Sequence, residues 1–156
     1  MGVEQKLAEL NLALPPAPTP VANYVPAVQV GNLLFVSGHG PGIFKNGKLE
    51  YIRGKLGKDM TVEQGYEAAK QVTLNILQSI KGAIGDLDKV RRIVKVLGFV
   101  NCTDDFPDQP KVINGASDLL VALYGEQGRH ARSAVGMNQL PFGIAVEIEM
   151  VVEVEA

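Results

Sequence analysis

"RSAVGMNQLPFGIAVEIEMVVEV", residues 132–154, is the stretch from which the fold can be read. In its second half Val146, Ile148, Met150, Val152 and Val154 alternate with Glu147, Glu149, Val151 and Glu153. A period of two with one apolar side is a strand laid against a core, predicted over about 144–154. The first half, about 132–139, is another strand, and Leu140-Pro141 falls between the two.

Working outward, "VRRIVKVLGFVN" (90–101) is apolar at nearly every position from Ile93 on and reads as a strand. Between it and residue 132 lies a helix. Asp108 is its expected N-cap, Pro110 sits in its first turn, and Gly125 and Gly128 end it. Its buried stripe is Val112, Ala116, Leu119, Leu120 and Leu123. Further upstream, Thr61 and Gln64 form a capping box that opens a helix running to about Gly82–Gly85. Tyr66, Ala69, Thr73, Ile76, Ile80 and Ala83 recur along it at helical spacing. Two pairs of apolar runs come earlier, around Gly31-Asn32 and Asn46-Gly47. These are hairpin turns, and they predict a β-meander. Residues 3–12 read as a short amphipathic helix carrying Leu7 and Leu10, and "ALPPAPTP" has too many prolines for helix or central strand. The expected division is residues 1–20 as helix and connector, and 21–156 as a single domain.

The order ββ(β)–α–β–α–ββ defines an α/β sandwich: a mixed sheet of about six strands with two long helices on one face. Strands 33–36 and 93–100 are apolar on both faces, so two helices leave one apolar face bare. A second copy of the chain is the simplest cover, and a homo-oligomer is expected.

Composition narrows the function. The 156 residues are 46% hydrophobic and 21% charged, with a formal charge of -2 and a pI near 5.7. There is no global attraction to nucleic acid or to an anionic membrane. One cysteine, Cys102, permits no intrachain disulfide. The first residues show no apolar signal region, so the chain is expected to be cytoplasmic. His39 and His130 are the two histidines, and no metal-ligand spacing occurs. "SGHGPGIF" lacks the Gly-Lys-Ser/Thr of a phosphate loop, GxSxG is absent, and no basic stripe with aromatic platforms exists for RNA. What stands out is "GRHARSAV" (128–135), where Arg129, His130 and Arg132 cluster in an acidic chain. It is either a solvated turn or a local anion receptor.

The C-terminal stretch, with Arg-Ser opening a strand, Leu-Pro, and Glu-Ile-Glu in the last strand, resembles the signature of the YjgF/Rid family, which includes the RidA-type imine deaminases. "NYVPAVQVGNLLFVSGHGP" is similar to that family's N-terminal hairpin, and "GDLDKVRRIVKVLGFVN" to its central strand. The chain looks like a longer branch of the family. The resemblance implies a chorismate-mutase-like fold assembled as a trimeric barrel, with helices outside and small-molecule clefts between subunits. It also implies hydrolysis of small carboxylate-bearing enamines and imines to 2-keto acids and ammonia, with no cofactor.

Residue by residue, the resemblance gives Arg132 the grip on the substrate carboxylate, which a planar guanidinium holds bidentately. The alternative is an ion pair with Glu147 or Glu149. Glu147 matches the acid that activates the attacking water, or is one member of a polar strand face. Tyr24 matches a cleft tyrosine, or packs at a strand end. Ser37 and Gly38 would edge the pocket, or Gly38 marks a bend. His39 stands near the entrance where a glutamine is usual. His130, two residues from Arg132 and on the same side of a continuing strand, is a second ligand contact, a proton shuttle or a turn residue. Asn101 and Asn114 read as structural. Ala134 replaces a cysteine common in deaminase members. That departure keeps open a non-catalytic keto-acid-binding trimer as the alternative; endoribonuclease activity is a weaker one.

Overall fold

The computed structural model describes residues 1–18 and 22–156. Part of the proline-rich connector and the expected start of the domain at residue 21 lie outside the described residues. The elements are α1 (Val3–Glu9), β1 (Ala27–Val30), β2 (Leu33–His39), β3 (Gly42–Lys45), β4 (Lys48–Tyr51), α2 (Val62–Ile84), β5 (Val90–Asn101), α3 (Gln109–Tyr124), β6 (Ala131–Met137) and β7 (Val146–Val154).

Five strands form one mixed sheet in the order β1-β2-β7-β5-β6, while β3 and β4 pair only with each other. This corrects the expected six-stranded sheet and the meander. Both hairpin turns form as read, with Gly31 at φ 61° and Asn46-Gly47 at φ 53° and 76°, the left-handed conformations tight hairpins require. The second partner of β2, however, is β7, antiparallel, from the far end of the chain. After His39 the chain turns away at Gly40-Pro41, where Asn75 of α2 donates to the carbonyls of Gly40 and Gly42 at 3.0 Å each. Proline offers no N–H to continue a ladder, so the β3–β4 hairpin leaves the sheet.

The α2 capping box is present, with Thr61 Oγ1 accepting from Gln64 N and Gln64 Oε1 accepting from Thr61 N. Asp108 caps α3 by position alone, without a side-chain hydrogen bond. The two helices lie against one sheet face, over Val146, Ile148, Met150, Val152 and Val154, all buried. They approach closely because α3 carries glycine at 115, where a Cβ would collide with the backbone carbonyl of Tyr66. The stripe read on α2 holds in its middle, but Ala83 is exposed and Tyr66 sends its hydroxyl to Asp118 of α3.

The N-terminal helix joins the same core. Val3 and Leu7 are buried, Val3 N donates to Asp88 Oδ1 at 2.8 Å, and Lys6 Nζ donates to the Leu123 carbonyl at 3.0 Å. Leu10 stays exposed because α1 ends at Glu9.

The opposite sheet face is bare. Val30 is 62% exposed and Phe35 46%, and Val28, Val135 and Met137 are exposed with them.

Candidate active site

The pairing register sorts the predicted site residues onto two faces of the sheet. On β7, Glu147 opposes Phe99, while its buried neighbours Val146 and Ile148 oppose Val100 and Gly98. Glu147 therefore belongs to the bare face. On β6, Arg132 pairs with Val96 and Ala134 with Gly98, both on the helix side. One chain thus carries Arg132 and Glu147 on opposite sides of its sheet.

Around Glu147 a first group forms. Its carboxylate lies over Gly38, where a Cβ would stand 2.6 Å from Oε2. A methyl at position 38 would push that carboxylate aside. Ser37 Oγ donates to the Val25 carbonyl at 2.7 Å, tying β2 to the segment bearing Tyr24. Tyr24 is 65% exposed. The Glu147 carboxyl titrates above the usual carboxylate range, first because half-burial penalises its charge and second because Glu149 repels it. Ser37, Gly38 and Glu147 lie together across β2 and β7, and Tyr24 stands on the segment that Ser37 ties down.

A second group surrounds Arg132. Its Nη1 donates to Asn114 Oδ1 at 2.8 Å and to Ser117 Oγ at 3.1 Å, both on α3. Among the described residues no carboxylate pairs with it. The ion pair with Glu147 or Glu149 that the sequence left open does not form. A guanidinium oriented by two neutral acceptors keeps its full charge for an external anion. His130 shares this network: Nε2 lies 2.9 Å from Ser117 Oγ and Nδ1 2.7 Å from the Gly128 carbonyl. Its pKa lies below the ordinary 6.5, mainly through burial and also through the charge of Arg132, with the Gly128 carbonyl opposing. Arg129 points elsewhere, to Glu126 at 3.6 Å on the exposed turn.

His39 belongs to neither group. A β-bulge sets two residues, Ser37 and Gly38, against one on β7, Glu149, so His39 faces Ile148 on the helix side. Nε2 meets Ser79 Oγ at 2.7 Å and Nδ1 the Ser37 carbonyl at 2.6 Å. Burial lowers its pKa, partly offset by the Ser37 carbonyl. Both ring nitrogens are thus engaged inside the protein, and the ring braces the bulge that presents Gly38 to Glu147.

Asn101 is structural as read: buried, it donates to Gln139 Oε1 and the Ile144 carbonyl and accepts from Lys55 Nζ at 2.7 Å. Asn114 instead holds Arg132, and Ser117 was missed. The available signal was their spacing, three apart on one face of α3. Among the described residues no cluster of His, Cys, Asp or Glu could hold a metal ion.

A five-stranded mixed sheet backed by two long helices, with an unpaired arginine on its edge strand, defines a small chorismate-mutase-like α/β protein. The chain belongs to the YjgF/Rid family: residues 4–153 match the family described as "YjgF/chorismate_mutase-like, putative endoribonuclease". It is 45% identical to Protein TCP17 of Trypanosoma cruzi over 97% of this chain and 93% of that protein. It is 30% identical to the 2-iminobutanoate/2-iminopropanoate deaminase of Dermatophagoides farinae, over 92% of this chain and 95% of the relative. Among solved structures, Atu1372 of Agrobacterium tumefaciens, a protein of unknown function, superposes with a TM-score of 0.88 at 46% identity, covering 98% of this chain and 92% of that one. The family thus includes imine deaminases as well as proteins described as endoribonucleases.

Proposed function

We propose that the protein hydrolyses small carboxylate-bearing enamines and imines to 2-keto acids and ammonia, in a cleft built from two copies of the chain. The observation that carries this reading is the orientation of Arg132 by Asn114 and Ser117 with no acid among the described residues to neutralise it. Such a group fits a small carboxylate, and the mite relative named as an imine deaminase supports that choice of substrate.

One small molecule cannot touch Arg132 and Glu147 across the sheet of a single chain. The bare apolar face offers the solution, because a second copy covering it brings Glu147 of the partner subunit to the Arg132 edge. The assembly proposed is a trimer, which the family resemblance supports. At the site, Arg132 fixes the carboxylate with two parallel hydrogen bonds. Water adds to the carbon of the N-protonated imine: a C–O bond forms, the C=N electron pair moves to nitrogen, and the Glu147 carboxylate takes the proton lost by water. Glu147 returns that proton to the nitrogen of the 2-amino-2-hydroxy acid. The hydroxyl then gives up its proton to Glu147 as the C–N bond breaks, ammonia leaves, and a carbonyl forms. Protonation of the ammonia by Glu147 restores the carboxylate. Tyr24 closes the exposed side and can donate a hydrogen bond to the developing alcohol.

The row of Glu147, Glu149 and Glu153 on β7 repels a polyanion and disfavours RNA as the substrate. The test is keto-acid release with an enamine supplied in situ by a pyridoxal-phosphate dehydratase. The protein is expected to accelerate it and Arg132→Ala to abolish the acceleration. Carboxylate binding without turnover would leave a sensor instead.

A further inference from the structure

The hydrogen bonds around Ser117 have a direction. The Gly128 carbonyl can only accept, so the His130 nitrogen facing it, Nδ1, carries a proton. Arg132 can only donate, so Ser117 Oγ accepts from it. The hydroxyl hydrogen of Ser117 is then left for Nε2 of His130, 2.9 Å away. With the imidazole neutral, three bonds run in series: Arg132 to Ser117, Ser117 to His130, His130 to Gly128. A second proton on His130 places an N–H at Nε2, reverses the middle bond, and sets a second positive charge two hydrogen bonds from the guanidinium.

We propose that His130, acting through the Ser117 hydroxyl, couples proton uptake to the binding of a small carboxylate at Arg132. The proposal rests on the reading of Arg132 as the carboxylate receptor. His130 is a positioning residue in this scheme, since Ser117 stands between it and the anion. Its surroundings leave Arg132 as the dominant charge. From α3, Asp118 is engaged by the Tyr66 hydroxyl. From the preceding turn, Arg129 and Glu126 face each other at 3.6 Å, both largely exposed. From β5, Lys95 lies on the other face and reaches Ser133 at 3.4 Å.

The physical consequence is reciprocal. Burial and, to a lesser degree, the Arg132 charge hold the His130 pKa down, against the Gly128 carbonyl. An anion on Arg132 cancels the charge contribution and adds attraction for an imidazolium, so the pKa rises on binding. By linkage the carboxylate must then bind more tightly as pH falls through the His130 titration. The low pKa also keeps His130 neutral in the empty protein at neutral pH, so the receptor waits in a single hydrogen-bonded arrangement.

The test follows the His130 ring by NMR across pH 5 to 8 in the whole protein, first without ligand. Arg132→Gln is expected to raise the His130 midpoint by about half a pH unit or more. Arg132→Lys, which keeps the charge, should leave it near the wild-type value. An unchanged midpoint in Arg132→Gln overturns the proposal whether or not any carboxylate binds. The second arm adds saturating pyruvate, with binding followed by calorimetry. The midpoint should rise again by about half a unit, equivalent to about a threefold gain in pyruvate affinity across the titration. His130→Gln, which keeps an acceptor for Ser117 but cannot titrate, should flatten that part of the pH dependence and leave any component from Glu147. Pyruvate binding with no movement of His130 also overturns the coupling. No pyruvate binding at all defeats the carboxylate reading of Arg132 separately, and the ligand-free arm then decides the charge coupling alone.

Discussion

Gly38→Ala separates the catalytic reading from a merely structural one. The new methyl would stand 2.6 Å from Glu147 Oε2, 3.2 Å from Cδ and 3.5 Å from Cγ. The backbone at Gly38 is not in the left-handed region that disfavours alanine, so the strain falls on the end of a flexible side chain. Rotating that carboxylate off its preferred position costs about 0.5–1.5 kcal/mol. Loss of glycine's freedom in the unfolded chain offsets about 0.4–1 kcal/mol of it. The net is within about 1 kcal/mol, a Tm change of about 2–4 °C at this size. To relieve the contact the carboxylate must move by roughly half an ångström or more, and displacements near 1 Å cost about a hundredfold in rate. In the dehydratase-coupled assay the variant should lose at least about tenfold in kcat, with KM little changed because Arg132 is untouched. Wild-type kcat in a well-folded Gly38→Ala protein would refute the role given to Glu147.

Other outcomes follow from the same geometry. Ser79→Ala leaves Nε2 of the half-buried His39 without its partner; it should cost about 1–3 kcal/mol and lower the Tm by several degrees in a thermal melt. His39 and His130 both have folded-state pKa values below 6.5. The unfolded chain therefore binds protons first, and stability should be complete above about pH 6.5 and fall as pH drops from there towards the folded values; denaturant midpoints across pH 5 to 8 check this. The rate should rise with pH through an apparent pKa above the usual carboxylate range, since Glu147 must be ionised to take a proton from water. Phe35→Asp, which charges the bare face, should convert the assembly to a species of monomer mass in analytical ultracentrifugation.

The elements were legible because each rests on local chemistry. Thr61 and Gln64 cap α2 whatever packs beside it, and Asn46-Gly47 turns a hairpin without outside help. Pairing was not legible in the same way. β2 and β7 lie at opposite ends of the chain, and nothing near residue 36 says that it opposes Met150. The site divides along the same line. Ser37, Gly38 and Glu147 follow from the β2–β7 neighbourhood once that pairing is known. The face occupied by Arg132 depends on the register of β6 against β5, and simple alternation cannot supply it. His39 shows the point most sharply: three steps from Val36 should put it on the opposite face, and a single bulge returns it to the helix side beside Ser79. The apolar two-faced strands, by contrast, did announce a bare sheet face, and that face is present.

On the proposed mechanism one active site needs Arg132 from one copy and Glu147 from another. Subunit mixing tests it most directly. Arg132→Ala and Glu147→Gln chains, each inactive alone, are dissociated together in equal amounts, reassembled, and assayed. A shared site is intact when an Arg132-bearing copy meets a Glu147-bearing one, which random mixing gives at about a quarter of the sites. Recovery of about a quarter of wild-type activity is expected. A mixed assembly of the right mass that stays as inactive as its parents would place the whole site within one chain and contradict it.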